Sequence, residues 1–203
     1  VHVSQSIGLY DRGEIIPFDW TGTNIRKESM GYERDQASIQ WRWFSEMQDD
    51  YDVIINDDDK GESADLVGLK IIDDCILLTL VHCKYSGADE PGARLKDLYE
   101  VCGQAQRCIR WKHLNLNYLY HHIKHREQQW RSRGYSRFLK GTIKDLVAMK
   151  ERSRTTPIRF GVVIVQPGID VSQINDEGLK LLGSTALFIK KTTMADLVVV
   201  GSG

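Results

Sequence analysis

The stretch from residue 60 to 86, KGESADLVGLKIIDDCILLTLVHCKYS, constrains the fold more than any other part of the chain. It holds two runs rich in Val, Ile and Leu, residues 64–71 and 76–84, separated by Asp73-Asp74 as the expected turn. Side chains alternate along a strand, so His82 and Lys84 project from the same face. Asp65 opens the first strand. If the strands pair, an acid, an imidazole and an ammonium meet at one sheet edge.

The flanking sequence supplies partners for such a hairpin. Residues 51–56 (YDVIIN) read as a short strand, and 57–61 (DDDKG) as a solvated turn. Upstream, Ile39, Trp43, Phe44 and Met47 recur at three- and four-residue spacing, which predicts a helix in the second part of 25–48. Residues 93–112 carry a long helical stripe: Leu95, Leu98, Tyr99, Val101, Cys102, Ala105 and Ile109. Further on come a strand over 158–165, a turn at Pro167-Gly168, a helix over 171–182, and strands over 186–189 and 197–200. Residues 1–23, with four breakers, read as irregular. This order implies one α/β domain built on a mixed sheet.

Charge narrows the function. Residues 1–103 carry 10 basic against 21 acidic side chains, whereas 104–154 carry 13 against 3. Separated blocks of opposite sign suit a protein that holds a polyanion beside a metal-binding carboxylate cluster; two charged faces pairing with each other is the plainer alternative. The basic block, 113–154, reads as a two-helix insert in which aromatics alternate with Arg and Lys. His121 and His125 in it stand at i, i+4, but no nearby acid completes a metal site, so a role facing nucleic acid or solvent is expected. Glu28 and Glu33 suit the favourable end of a helix dipole.

No apolar run approaches the ~18 residues of a membrane span, so no membrane partner is expected. Cys75, Cys83, Cys102 and Cys108 form no CxxC pair and read as reduced thiols of a cytoplasmic protein. The chain begins at Val1, as a piece excised from a longer polypeptide would.

The phrases GESADLVGL, LVHCKYS, PGARLKDLYEVCGQAQRCIRW and FGVVIVQPGI resemble the PD-(D/E)xK nuclease superfamily, over about residues 28–190. More narrowly, they resemble the restriction-endonuclease-like domain attached to bacterial helicases, some of them associated with phage defence. The resemblance implies an αβββαβ core with Asp65 and Lys84 as the motif residues, Glu28 or Glu33 as the acid of the first helix, and Gln104 as a helix glutamine. It implies hydrolysis of DNA with Mg²⁺ or Mn²⁺, and helicase domains on the same polypeptide. Asp65, His82, Lys84 and Gln104 would be catalytic. Asp65, His82, the Cys83 backbone carbonyl, Glu28 and Glu62 would surround the metal. Arg107, Arg110, Lys112, Lys124, Arg126, Arg131 and Arg133 would contact nucleic acid.

One position departs from the family pattern. His82 stands where the family has Asp or Glu, which removes about one unit of charge toward a hard cation. Either His82 ligates the metal, or Glu62, Asp57 or Asp58 supplies the missing carboxylate, or the site is silent. The first keeps the geometry and is the expectation carried forward. It predicts a preference for Mn²⁺ over Mg²⁺ and activity that falls as pH drops through ~6.5, where imidazole protonates. The alternatives are a catalytically silent DNA-binding module that guides a helicase, and a nuclease directed at RNA.

Overall fold

The computed structural model describes residues 8–203. A seven-stranded mixed sheet runs through them in the order β1-β7-β6-β4-β3-β2-β5. The strands are β1 (Ile15–Phe18), β2 (Val53–Asn56), β3 (Leu66–Ile72), β4 (Cys75–Cys83), β5 (Phe138–Lys140), β6 (Ile158–Asp170) and β7 (Leu197–Ser202). Strands β1, β7, β6 and β4 are parallel to their neighbours, while β4, β3, β2 and β5 pair antiparallel. The helices are α1 (Ile39–Met47), α2 (Leu95–Cys108), α3 (Arg110–His113), α4 (Leu116–Arg131), α5 (Ile143–Arg152) and α6 (Asp176–Thr193).

Alternation along the strands sorts the core into two layers. Leu78 and Leu80 of β4 join a cluster with α2, α4, α5 and α6, whereas Val81 and Cys83 join one with Ile39, Phe44 and Met47 of α1. Each fully buried aliphatic side chain contributes roughly 1.5–3 kcal/mol. Gly68 lets α1 approach closely, since a Cβ there would lie 2.7 Å from the Tyr51 ring and 3.0 Å from Met47. The helices start where side chains cap them: Ser38 accepts from Trp41 N–H, Thr142 from Asp145 N–H and Asn175 from Gly178 N–H.

The Asp73-Asp74 turn closes the β3–β4 hairpin, whose register runs from Ile72↔Cys75 to Leu66↔Val81. That register brings the start of β3 and the end of β4 together at the sheet's rim.

Four sequence expectations change. Residues 186–189 are not a strand; they continue α6, in which Leu179, Leu182 and Ile189 are buried at helical spacing. Pro167 and Gly168 do not end β6. They sit inside it, where the four residues between Val165 and Asp170 oppose the single Gly201 between Val200 and Ser202, a bulge that accommodates proline. The span 1–23 is not wholly irregular, because β1 forms an edge strand with Pro17; residues 1–7 lie outside the described residues. The basic segment is not purely helical either, since β5 between α4 and α5 pairs with β2.

No described helix is long and apolar enough to cross a membrane.

Candidate metal centre and the adjoining cavity

Asp65 precedes β3 and is only 1% exposed. Its Oδ1 accepts from Gln40 Nε2 of α1 at 2.9 Å, and its Oδ2 accepts from the Cys83 N–H at 2.9 Å. Asp58 and Glu62, from the loop between β2 and β3, close on it. The three carboxylates place ligand oxygens within 4.8 Å of one another. In a cation site of this class oxygens stand about 2.1 Å from a small ion, hence about 4.2 Å apart across it. An all-oxygen set at this spacing fits a hard divalent cation, so the cluster could hold a metal ion.

The loop that carries Asp58 and Glu62 is fixed from the basic segment. Asp57 is fully buried and accepts from Ser63 N–H and Oγ at 2.7 Å each, from Arg126 Nε at 2.6 Å and from His122 Nε2 at 2.8 Å. The Arg126 guanidinium also donates to the carbonyls of Asp57 and Lys60, at 2.7 and 3.0 Å. Arg137 donates to the carbonyls of Asn56 and Asp58, at 3.1 and 3.0 Å, and stacks on Trp130. Desolvation pushes the Asp57 carboxyl up, but His122, Arg126 and the Ser63 N–H outweigh it and hold the group below its ordinary range.

The cluster itself behaves oppositely. Burial, reinforced by Asp58, Glu62 and Glu28, drives Asp65 well above the usual carboxylate value. Burial and the neighbouring acids raise Glu62 as well; burial raises Glu28 although the Tyr85 N–H and Lys84 oppose it. Glu28 accepts from the Tyr85 N–H at 3.0 Å and lies 3.4 Å from Lys84 Nζ. Lys84 Nζ also pairs with Glu100 of α2 at 2.9 Å. Desolvation works against that ammonium, yet Glu100 and Glu28 raise its pKa overall.

His82 is not among the three residues of the cluster. It is 2% exposed, and neither ring nitrogen has a hydrogen-bond partner. Burial, helped by Arg107, pulls its pKa down to about 3. It lines a cavity of about 550 Å³ together with Asp58, Glu62, Gln104, Arg107, Arg110 and Trp111, among others.

Set against the residues expected from sequence, Asp65 and Glu62 converge, with Glu28 and Lys84 at their side. The third carboxylate of the cluster is Asp58, one of the groups named as an alternative to His82, and His82 is not among its three residues. The imidazole is neutral across the physiological range because burial disfavours its charged form. At Cys83 the backbone N–H donates to Asp65, and the thiol is buried beside α1. Gln104 lines the cavity together with Asp58 and Glu62, and Glu33 is exposed on the surface.

The basic residues divide by role. Arg107 and Arg110 line the cavity. Arg126 does not face nucleic acid: it is buried in the loop contacts above. Lys112 caps the Ile158 carbonyl at 3.1 Å, Arg131 pairs with Glu127 at 2.7 Å, and Arg133 donates to the Tyr32 hydroxyl at 2.6 Å. Lys124 is exposed near the Tyr120 ring. Sequence reasoning passed over Gln40, Glu100, His122, Trp111 and Arg137. A signal existed for one of these: Glu100, Gln104 and Arg107 recur at i, i+4 and i+7 on α2.

No protein-family model matches the chain, and no curated protein or solved structure matches it.

Proposed function

We propose that the chain is a metal-dependent nuclease with a PD-(D/E)xK-like core, in which Asp58, Glu62 and Asp65 hold a Mg²⁺ or Mn²⁺ ion. The observation that carries this reading is the convergence of three carboxylates at the rim from which Lys84 emerges, with Glu28 adding a fourth negative charge. Buried like charges raise one another's energy, and a divalent cation offsets that cost. When bound, such an ion polarises a phosphoryl oxygen and acidifies a water.

The chain's own groups supply the rest. Gln40 and the Cys83 N–H fix the Asp65 carboxylate, so its free lone pairs face a defined direction. Lys84, steadied between Glu28 and Glu100, offers an ammonium to charge that develops on a phosphodiester. Arg107 and Arg110 receive flanking phosphates. The sequence resemblance adds helicase domains on the same polypeptide as the expected partner, and DNA ahead of RNA as the substrate.

A second reading, a silent nucleic-acid-binding module, is favoured by one observation: the Lys84 side chain is 12% exposed and engaged by two carboxylates. Incubation of the chain with plasmid DNA, single-stranded DNA and RNA, each with Mg²⁺ or Mn²⁺, separates the two. Cleavage that falls on the order of 10²–10³-fold in Lys84→Ala, the scale of losing one transition-state donor, supports the nuclease. Salt-sensitive binding with no cleavage under any of these conditions supports the silent module.

A further inference from the structure

Where α4 ends, a cluster of rings reaches the surface that the carboxylates do not explain. Trp130 of α4 is its buried member, 6% exposed. The Tyr32 ring packs against it at 4.8 Å between centroids, and the Tyr135 ring lies 5.4 Å from Tyr32 at an interplanar angle of 32°. Tyr32 is 38% exposed and Tyr135 39%, so both tyrosines present aromatic surface to solvent.

The backbone fixes these rings from two sides. Gly31 turns at φ +62°, and the Asp35 N–H closes that loop on the Met30 carbonyl at 2.8 Å. Past α4, Gly134 turns at φ +85°, and the N–H groups of Arg133 and Tyr135 both donate to the Trp130 carbonyl, at 2.9 and 3.1 Å. Side chains carried on a fixed backbone give up less freedom when they bind.

The charge around the rings says what they suit. Arg133 is exposed, lies 5.6 Å from the Tyr32 centroid and donates to the Tyr32 hydroxyl at 2.6 Å; it has no carboxylate partner among the described residues. The nearby acids are mostly engaged, Asp35 by Lys27 and Glu127 by Arg131. Glu33 is left against Arg34 and Arg133, a positive balance. Exposed rings beside an unpaired guanidinium match a polymer that carries planar faces along an anionic backbone, which is nucleic acid. In a duplex those faces are covered by neighbouring bases, so the rings select an unpaired strand. The patch also adjoins the carboxylates: Arg137 stacks on the Trp130 ring at 4.2 Å and donates to the Asp58 carbonyl at 3.0 Å.

We propose that Tyr32 and Tyr135 form a stacking platform for the bases of a single nucleic-acid strand, with Arg133 receiving its phosphates. Unpaired nucleic acid is then the substrate class. This rests on the nucleic-acid reading of the neighbouring centre and deepens it.

The test is binding without metal. Fluorescence anisotropy of the full chain in EDTA compares a short single strand, the same backbone without bases, and the corresponding duplex. The base-bearing strand is expected to bind at least about tenfold more tightly than either, the factor that one stacked base supplies. The tighter of a DNA and an RNA strand of one sequence names the source. Tyr135→Ala weakens the base-bearing strand about tenfold and leaves the abasic one unchanged, while Tyr135→Trp restores the affinity because an indole also stacks. Arg133→Ala weakens both strands. Tyr32→Ala repeats the Tyr135→Ala result; should it fail to fold by circular dichroism, the Tyr135 pair still carries the test.

Equal affinity for base-bearing and abasic strands overturns the proposal, and so does a base preference that Tyr135→Ala leaves intact. The absence of binding to every strand overturns it too. Cleavage with Mn²⁺ alongside base-independent binding removes the platform and keeps the nuclease. Base-dependent binding, lost in Tyr135→Ala, by a chain that cuts nothing removes the nuclease and keeps the platform.

Discussion

Asp65 and His82 stand one residue beyond the Leu66↔Val81 pair, at the same end of the β3–β4 hairpin, and are almost equally buried. Their surroundings are opposites. Both oxygens of Asp65 accept hydrogen bonds, and its neighbours are acids; both nitrogens of His82 are unpaired, and the charge that acts on it is Arg107. Burial alone therefore says little about a polar residue's purpose. Asp65 is a fixed carboxylate among like charges, and His82 is a buried imidazole short of hydrogen bonds. The rim of the sheet contains two compartments, an acidic one that could hold a metal ion and one around a buried imidazole with no hydrogen-bond partner.

The acidic compartment depends on a loop that the basic segment grips, and removing that grip should have the largest effect. Arg126→Ala leaves Asp57 buried without its guanidinium and strips the donors from the Asp57 and Lys60 carbonyls. Loss of one partner from a buried pair costs about 3–5 kcal/mol, a drop readable by urea unfolding. A change under about 1 kcal/mol would mean the loop holds itself, and the contrast between the compartments would lose its structural cause.

Adding a cation tests the compartment directly. A ligand at 100 times its dissociation constant stabilises by roughly 2.7 kcal/mol, on the order of 5–10 °C in melting temperature for a chain of this length. Mg²⁺ or Mn²⁺ should give such a shift in the wild type and not in an Asp58→Asn, Asp65→Asn double variant. An unchanged melting temperature with either ion would leave the carboxylates as mere neighbours.

In EDTA the same groups make stability depend on pH in an unusual direction. Asp65, Glu62 and Glu28 have folded pKa values above their ordinary 3.8 and 4.5, so the folded state binds their protons more tightly. The stability they contribute is complete below those ordinary values and is lost as pH rises through the raised ones. Asp57, held below its ordinary 3.8, acts the other way and loses its contribution as pH falls through its lowered value. Urea midpoints of the cation-free chain should thus decline from mildly acidic toward neutral pH, and Asp65→Asn should flatten that decline. A wild-type midpoint that rises over this window would show that the acids do not oppose one another.

The hairpin and α2 were legible because alternation and helical spacing are local properties, and Asp65 came with them. Asp58 enters only as one alternative to His82, since it lies in a polar run that reads as solvated. Its position depends on Arg137, 79 residues away, and on Arg126 acting through Asp57, 69 residues away. The basic block misled for the same reason: a sequence records the charge of Arg126 but not the carbonyls that surround it. Residues 186–189 were read as strand because a short apolar run fits either period. His82 was legible as a residue on the Lys84 side of β4, yet its lack of partners appears only once α2 lies over it.

The smallest predicted effect bears on His82 alone. His82→Leu exchanges a buried imidazole, unpaired at both nitrogens, for an apolar group of similar size on a strand face shared with Ile76, Leu78 and Leu80. Removing a polar group with no partner strands no other donor or acceptor, so the substitution should be neutral or stabilising by up to about 1 kcal/mol in the free protein. Asp65→Leu lacks that exemption, because it orphans the Gln40 amide and the Cys83 N–H. Urea unfolding of the two variants in EDTA measures the difference. A loss of about 2 kcal/mol or more in His82→Leu would show that the imidazole is already satisfied in the free protein.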